Sequence, residues 1–349
     1  MRATEPTSVT ASAPGRVCLL GEHCDWAGGS SLAAPLPMGV TVRAARIAQG
    51  LEVETRLEGV ALSGRWPAGG EVAPEGGPLR FVPAAAAALA RRGVGPTDLR
   101  LSITSDLPAG RGFSSSAALS VALLDALARA AGRTLDALAL ADLAYHVERD
   151  LLGVACGRLD QLSCALGRPS AQGAREGGGS AVLLRWEGGQ AAHVRPVRIH
   201  SCFYLVVGAF AAPRDTPGIL AALNQAFSGQ SSDAAAVTAT RRALRVFAQE
   251  AEQSAAHLEA GDAAALGESM NRAQRAYDQE LAAHLPALRA PGLRAATAAL
   301  RDAGALGAKF SGAGGDGSVI GLFPDAHAAE AGAGLLRALG LSAWPTPLA

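Results

Sequence analysis

The sequence predicts a mixed chain of strands and helices, long enough for two domains. Three observations carry this. The chain has 349 residues, enough for two cores of ordinary size. Alternating strand-like runs and Ala-rich helical runs follow one another along its length, with no fixed-period repeat. A low-complexity stretch from Arg168 to Ser180 reads as a solvated loop and a border, giving expected domains of 1–175 and 176–349.

In order, Val9 to Glu22 reads as a strand, a Pro14-Gly15 turn and a second apolar run, Val17 to Leu20. Strands are expected at Val40 to Ile47 and Leu51 to Arg56 from their period-two alternation. Gly59 to Gly77, rich in Gly and Pro, reads as irregular, and Phe81 to Arg92 as an Ala-rich helix. Leu99 to Ser105 is a strand that runs into a Gly-Ser loop and a helix. Leu135 to Asp150 is a further helix. Beyond the border, strands are expected at Ala181 to Trp186 and Ser201 to Gly208. Helices are expected at Gly218 to Ala226, Asp233 to Ala260, Ala263 to Leu285 and Gly292 to Ala303. Lys309 to Phe323 reads as strand, glycine loop and strand, before a helix from Ala326 to Leu339.

Composition narrows the function. Thirty-one basic and 31 acidic residues cancel, and no basic stripe carries interleaved aromatics, so no nucleic-acid partner is expected. The longest apolar run, Phe203 to Pro213, is too short to span a bilayer, and Met1 to Pro6 lacks a signal peptide's apolar stretch. A cytoplasmic protein without a membrane partner is the expectation. Cys18, Cys24, Cys156, Cys164 and Cys202 are odd in number and scattered, which fits reduced thiols. Cys156 reads as a small buried hydrophobe.

The loop from Pro108 to Ala118 carries the chemistry most openly. It places Gly110, Gly112, Ser114, Ser115 and Ser116 directly before Ala117 and an apolar helix. Such a loop offers unpaired N–H groups and the positive dipole end to an anion, with glycine allowing close approach. The alternative is a turn whose serines merely cap a core helix. Lys309 is the sole lysine of the chain, so no Walker A lysine and no protein-kinase strand lysine exists. A phosphate held here is held by backbone, hydroxyl and metal.

Three glycine segments, Ala13 to Gly29, Pro108 to Ala118 and Ala308 to Ser318, stand far apart in the chain. Together they resemble, in order and spacing, the three motifs of the GHMP small-molecule kinases. Ala13-Pro14-Gly15-Arg16 through Gly21-Glu22-His23-Cys24-Asp25-Trp26 is most similar to the galactokinase form of the first motif. Cys156-Gly157-Arg158-Leu159-Asp160-Gln161 resembles the galactokinase segment that bears a catalytic aspartate. The resemblance implies a two-domain α+β fold with its active site in the interdomain cleft. The N-terminal domain would carry the phosphate loop and catalytic residues, the C-terminal one the third glycine motif.

The resemblance also implies roles. Asp160 would be the base or orienting acceptor for the attacking hydroxyl, and Arg16 would stabilise charge on the transferring group. Taken alone, Asp160 reads rather as an N-cap or surface-loop carboxylate. Glu22, His23, Asp25 and Gly157 would bind a sugar substrate, because a site that reads hydroxyls wants groups costly to leave unpaired. Asp25 could instead cap the turn at Gly28-Gly29. Trp26 replaces a tyrosine of the family and could cover a sugar face or pack in the core. ATP would be held by Pro108, Gly110, Gly112, Ser114, Ser115, Ser116 and Ala117, with Gly312 and Gly314 of the third motif. Mg²⁺ would take Ser115 or, preferably, Ser116, together with Glu148, for which a solvated helix face is the equal alternative.

Two departures stand out. Asp316 takes a place where many relatives have glycine, and a carboxylate beside phosphate repels unless it is compensated. Leu79-Arg80-Phe81-Val82 stands where galactokinases carry their adenine-pocket segment, leaving that pocket unassigned. The resulting expectation is an ATP- and Mg²⁺-dependent kinase for a hydroxyl of a sugar or sugar-like polyol, at the anomeric position. A mevalonate-kinase-like enzyme is one alternative, disfavoured by Arg16 and Asp25. A catalytically inactive sugar and ATP sensor is another, disfavoured by Arg16 and Asp160. Oligomeric state is not expressed in the sequence.

Overall fold

The computed structural model describes residues 8–57, 59–67, 77–95, 98–108, 111–154, 156–168, 181–188, 190–200, 203–211 and 215–348. Gly110, Cys202 and residues 169–180 of the expected border loop lie outside the described residues. In chain order the elements are β1 (Val9–Leu20), the one-turn helix α1 (Cys24–Ala27), β2 (Gly29–Arg46), β3 (Leu51–Leu57) and β4 (Val60–Trp66). Next come α2 (Phe81–Ala90), β5 (Leu99–Ser105), α3 (Ser115–Ala130), α4 (Ala137–His146) and α5 (Leu159–Leu166). The chain continues through β6 (Ala181–Glu187), β7 (Gln190–Val197), β8 (Phe203–Ala209), α6 (Thr216–Ser228), α7 (Ala234–Ala260) and α8 (Ala263–Ala276). It closes with the short α9 (Ala282–His284), α10 (Pro291–Asp302), β9 (Gly307–Ser311), β10 (Ser318–Phe323), α11 (Ala326–Ala338) and β11 (Ser342–Leu348).

This α+β chain packs as two compact units. The first contains residues 8–16, 37–108 and 113–168; the second contains 17–36, 111–112 and the described residues from 181 onward. In the first unit β4, β3, β5 and the C-terminal part of β2 hydrogen-bond in that order. Helix α3 is its centre: every residue from Ala117 to Ala128 is buried, and α2, α4 and α5 pack around it. Alanine or serine at half of these positions lets the helices approach closely. In the second unit the N-terminal part of β2 pairs with β6, and β6 with β7. A separate antiparallel sheet runs β11-β8-β10-β9, with α8, α10 and α11 packed against its strands.

Several expectations change for physical reasons. The Pro14-Gly15 pair is no turn: β1 runs straight through it. Gly15 is needed for close packing, since a Cβ there would lie 2.7 Å from the Phe113 carbonyl. Strand β2 begins well before Val40, and its Pro35, Pro37 and Gly39 fall between the ladder to β6, ending at Ala33, and the ladder to β5, starting at Val40. Between those two ladders the strand also pairs with β1. The irregular segment after Gly59 contains β4, which closes a hairpin on β3 with Leu57 opposite Val60. Two strands, β7 and β11, were not expected at all. Pro345 and Pro347 hide β11, which tolerates them as an edge strand. The helix expected to end at Asp150 changes to a π-helical turn at Val147–Leu151, and the one after Ala263 does so at Tyr277–Leu281. Among the described residues no helix is long and apolar enough to cross a membrane.

Candidate active site

In the first unit, one constellation forms around Asp160. This residue sits in the first turn of α5, where the helix dipole favours a carboxylate; Arg158 takes the N-cap place, so Asp160 is neither cap nor loop. Arg16, on β1, donates from Nε to Asp160 Oδ1 at 2.9 Å and from Nη2 to the same oxygen. The guanidinium is buried while the Asp160 side chain keeps 32% exposure, so the carboxylate is fixed yet reachable. Arg158 locks the start of α5 by bonding Asp142 at 2.8 Å and lying over the Tyr145 ring.

Glu148 lies on the π-helical turn, a distortion common at functional sites. It is no solvated face: only 1% of Glu148 is exposed. Gln161 Nε2 donates to its Oε1 at 2.8 Å, and the Ser116 hydroxyl lies on its side of the site. Burial pushes the Glu148 carboxyl up to about 7; the Gln161 bond and the Ser116 hydroxyl oppose this, and the charge of Asp160 adds to it. Cys156 is half-buried beside Gln161, and burial raises its thiol to about 12, so it is no nucleophile.

The head of α3 carries no side-chain cap, so the serines do not play that part. Ser114 adopts a left-handed conformation (φ 60°), and its buried hydroxyl has no partner. The first-turn N–H groups, from Ser115, Ser116 and Ala117, are left for an external acceptor. Beside Ser115 and Ser116 opens a cavity of about 160 Å³ walled by Val40, Leu57, Phe81, Ile103 and Leu119. Pro108 and Gly157 are half-buried.

A second constellation stands in the second unit. Gly21 (φ 86°) admits the chain turn after β1, because a Cβ would lie 2.2 Å from the Ser30 carbonyl. Glu22 and His23 are buried, and Asp25 is half-buried in α1. The turn at Gly28 is closed by its own N–H to the Cys24 carbonyl at 2.8 Å. Trp26 packs between His23 and Phe227, with ring centroids 5.7 and 5.6 Å away. Glu22 Oε1 accepts from Lys309 Nζ, a partner 287 positions on that no sequence signal announced except the rarity of lysine.

The third motif is a run of left-handed turns, with φ 82° at Gly312, 87° at Gly314 and 65° at Gly315. Tyr277 Oη accepts from the Gly315 N–H at 2.8 Å and anchors it. Ser318 Oγ donates to the Arg111 carbonyl at 2.7 Å, and a Cβ on Gly112 would stand 2.5 Å from that same Oγ. Gly112 is therefore demanded first by the third motif. Asp316 resolves its own difficulty: Oδ1 accepts from the Leu293 N–H at 2.7 Å and Oδ2 from Gly292 at 3.4 Å. It supplies the side-chain cap that α10 lacks at Ala290. Asp316→Ala should therefore lower stability by about 1 kcal/mol in thermal melts.

Among the described residues no group of three or more His, Cys, Asp or Glu side chains could hold a metal ion. A magnesium site needs fewer protein ligands, since the ion keeps waters and substrate phosphates.

Comparison with known proteins places this geometry. The GHMP kinases N terminal domain matches residues 80–168, the GHMP kinases C terminal domain residues 254–340, and the galactokinase galactose-binding signature residues 2–46. The galactokinase of Mycobacterium tuberculosis is 36% identical over 162 residues, 46% of this chain and 44% of that protein. That of Pyrococcus furiosus is 28% identical over 170 residues, 46% and 45% respectively. The chain thus matches less than half the length of these curated relatives. The fold is similar to that of Lactococcus lactis galactokinase complexed with galactose (TM-score 0.75, 20% identity, 98% and 93% of the two chains). It is equally similar to Leishmania major mevalonate kinase in complex with R-mevalonate (0.76, 19%, 99% and 97%). With both kinase domains and the galactose-binding signature in sequence order, the chain belongs to the GHMP kinase family as a galactokinase-like member.

Proposed function

We propose that the chain is an ATP-dependent kinase that phosphorylates a neutral sugar of the galactose class at its anomeric hydroxyl. The observation that carries this is the Arg16–Asp160 pair: a buried guanidinium holding an accessible carboxylate at the start of a helix. Asp160 accepts the proton of the attacking hydroxyl, and Arg16 offsets the charge that develops on the phosphoryl oxygens. The uncapped head of α3 and the lone Ser114 hydroxyl receive phosphate. The mainly apolar cavity beside Ser116 takes the adenine ring, its walls supplying burial and its serines a few hydroxyls.

Ser116 and Glu148 fit a magnesium ion. They are hard oxygen donors, and the buried carboxylate is hydrogen-bonded by the neutral Gln161 amide. Bound there, the ion would neutralise charge on the phosphates of ATP.

Glu22, His23 and Asp25 bind the sugar, supported by the galactose-binding signature that spans them. Asp25→Ala should raise the Michaelis constant for the sugar about 10–100-fold, the cost of one or two lost bonds, with that for ATP unchanged. Steady-state kinetics with both substrates and a melting curve check this; an unaltered sugar constant removes Asp25 from the site. The reaction itself is tested by ADP release over a panel of monosaccharides, uronic acids, cyclitols and mevalonate. Turnover confined to mevalonate would overturn the assignment.

A further inference from the structure

The ammonium of Lys309 is fully buried on β9 and bound on three sides. It donates to Glu22 Oε1 and to the Phe310 carbonyl, and it lies 4.6 Å from the centroid of the Phe310 ring. The strand beneath it is pinned, because the Phe310 N–H donates to Gln274 Oε1 at 2.8 Å. Glu22 is 2% exposed, yet its other oxygen, Oε2, is buried without any partner. A pair kept for stability alone has no reason to leave that oxygen unmet, since a buried acceptor without a donor is costly. Buried ion pairs are also poor stabilisers compared with apolar side chains of similar volume.

We propose that Lys309 is a positioning residue: it holds Glu22 by Oε1 so that Oε2 faces a donor hydroxyl of the substrate. This rests on the sugar-kinase reading and adds a substrate rule to it. The group that meets Oε2 is a hydroxyl donor, and a carboxylate or phosphate at that position of the sugar is rejected. An ammonium is suited to the task, for it is a compact point charge with three donors that can anchor one carboxylate oxygen and leave the other open.

The test compares wild type, Lys309→Met, Glu22→Gln and the double variant, each with a melting curve. Lys309→Met should raise the Michaelis constant for galactose at least tenfold, change kcat less than threefold and leave the constant for ATP in place. In the Glu22→Gln background the same substitution should change the galactose constant less than twofold, because its effect passes through Glu22. An unchanged galactose constant, or equal losses in both backgrounds, overturns the inference. A lowered melting temperature with both substrate constants moving together does so too, since that is the mark of a structural role. Should Lys309→Met not fold, the charge-free double variant is compared with Glu22→Gln alone, a galactose constant within twofold supporting the proposal and a further tenfold rise refuting it. A wild type that neither binds nor phosphorylates any neutral sugar overturns the kinase reading itself, and this inference with it.

Discussion

Replacing Asp160 by Asn is expected to abolish nearly all turnover while leaving the fold and the affinity for ATP intact. The carboxylate is held by Arg16 through Oδ1 and retains exposure, so the variant keeps its place but loses its capacity to accept a proton. General-base assistance is worth about 10²–10⁴-fold, and that is the drop in kcat to be measured. Arg16 would keep a partner in the amide oxygen, which guards against collapse of the pair. A folded variant that turns over near the wild-type rate would remove Asp160 from the chemistry.

Glu148→Gln should be the second largest effect, and it divides activity from stability. In the proposed magnesium site this variant removes the charge of Glu148, and apparent Mg²⁺ affinity should fall by at least about 10–100-fold, the scale found for losing even an outer-sphere partner. The pH dependence has a definite sign. Burial raises the folded-state carboxyl to about 7, so its contribution to stability is fully present below the ordinary carboxylate range and is lost as pH rises through 7. At pH 8 the glutamine variant should therefore melt higher than wild type while being less active. Wild-type turnover at limiting magnesium should climb as pH rises through 7, when the carboxylate form becomes available. Magnesium titrations and melting curves at pH 6 and pH 8 read both effects; a variant less stable than wild type at pH 8 would contradict the burial argument.

Much of the local structure was legible, because periodicity reports which face of an element is buried. Strand β5 alternates apolar and polar residues and was expected with the bounds it has, Leu99–Ser105. Strand β11 was not legible, because Pro345 and Pro347 argue against a strand unless its edge position is known. The turn at Pro14-Gly15 misled for the opposite reason: glycine there answers a close approach of Phe113, which no local pattern records.

Long-range pairing divides the same way. Arg16 and Asp160, 144 positions apart, were paired only through resemblance to a family. Glu22 and Lys309 were not paired at all, since one lysine in the third motif says nothing of the buried carboxylate it meets. Asp316 was legible as a departure but not as a solution, for its partners are main-chain N–H groups at Gly292 and Leu293, and such groups leave no trace in side-chain identity. Glu148 shows how burial removes one reading, the solvated helix face, that sequence leaves open.

The most direct test of the central claim is the product itself. Wild-type protein incubated with ATP, Mg²⁺ and D-galactose, and followed by ³¹P NMR, should consume ATP and yield ADP together with a sugar monophosphate. The new resonance should couple to the anomeric proton of the sugar. ATP turnover giving only inorganic phosphate, or a phosphate ester on a non-anomeric carbon, would contradict the account.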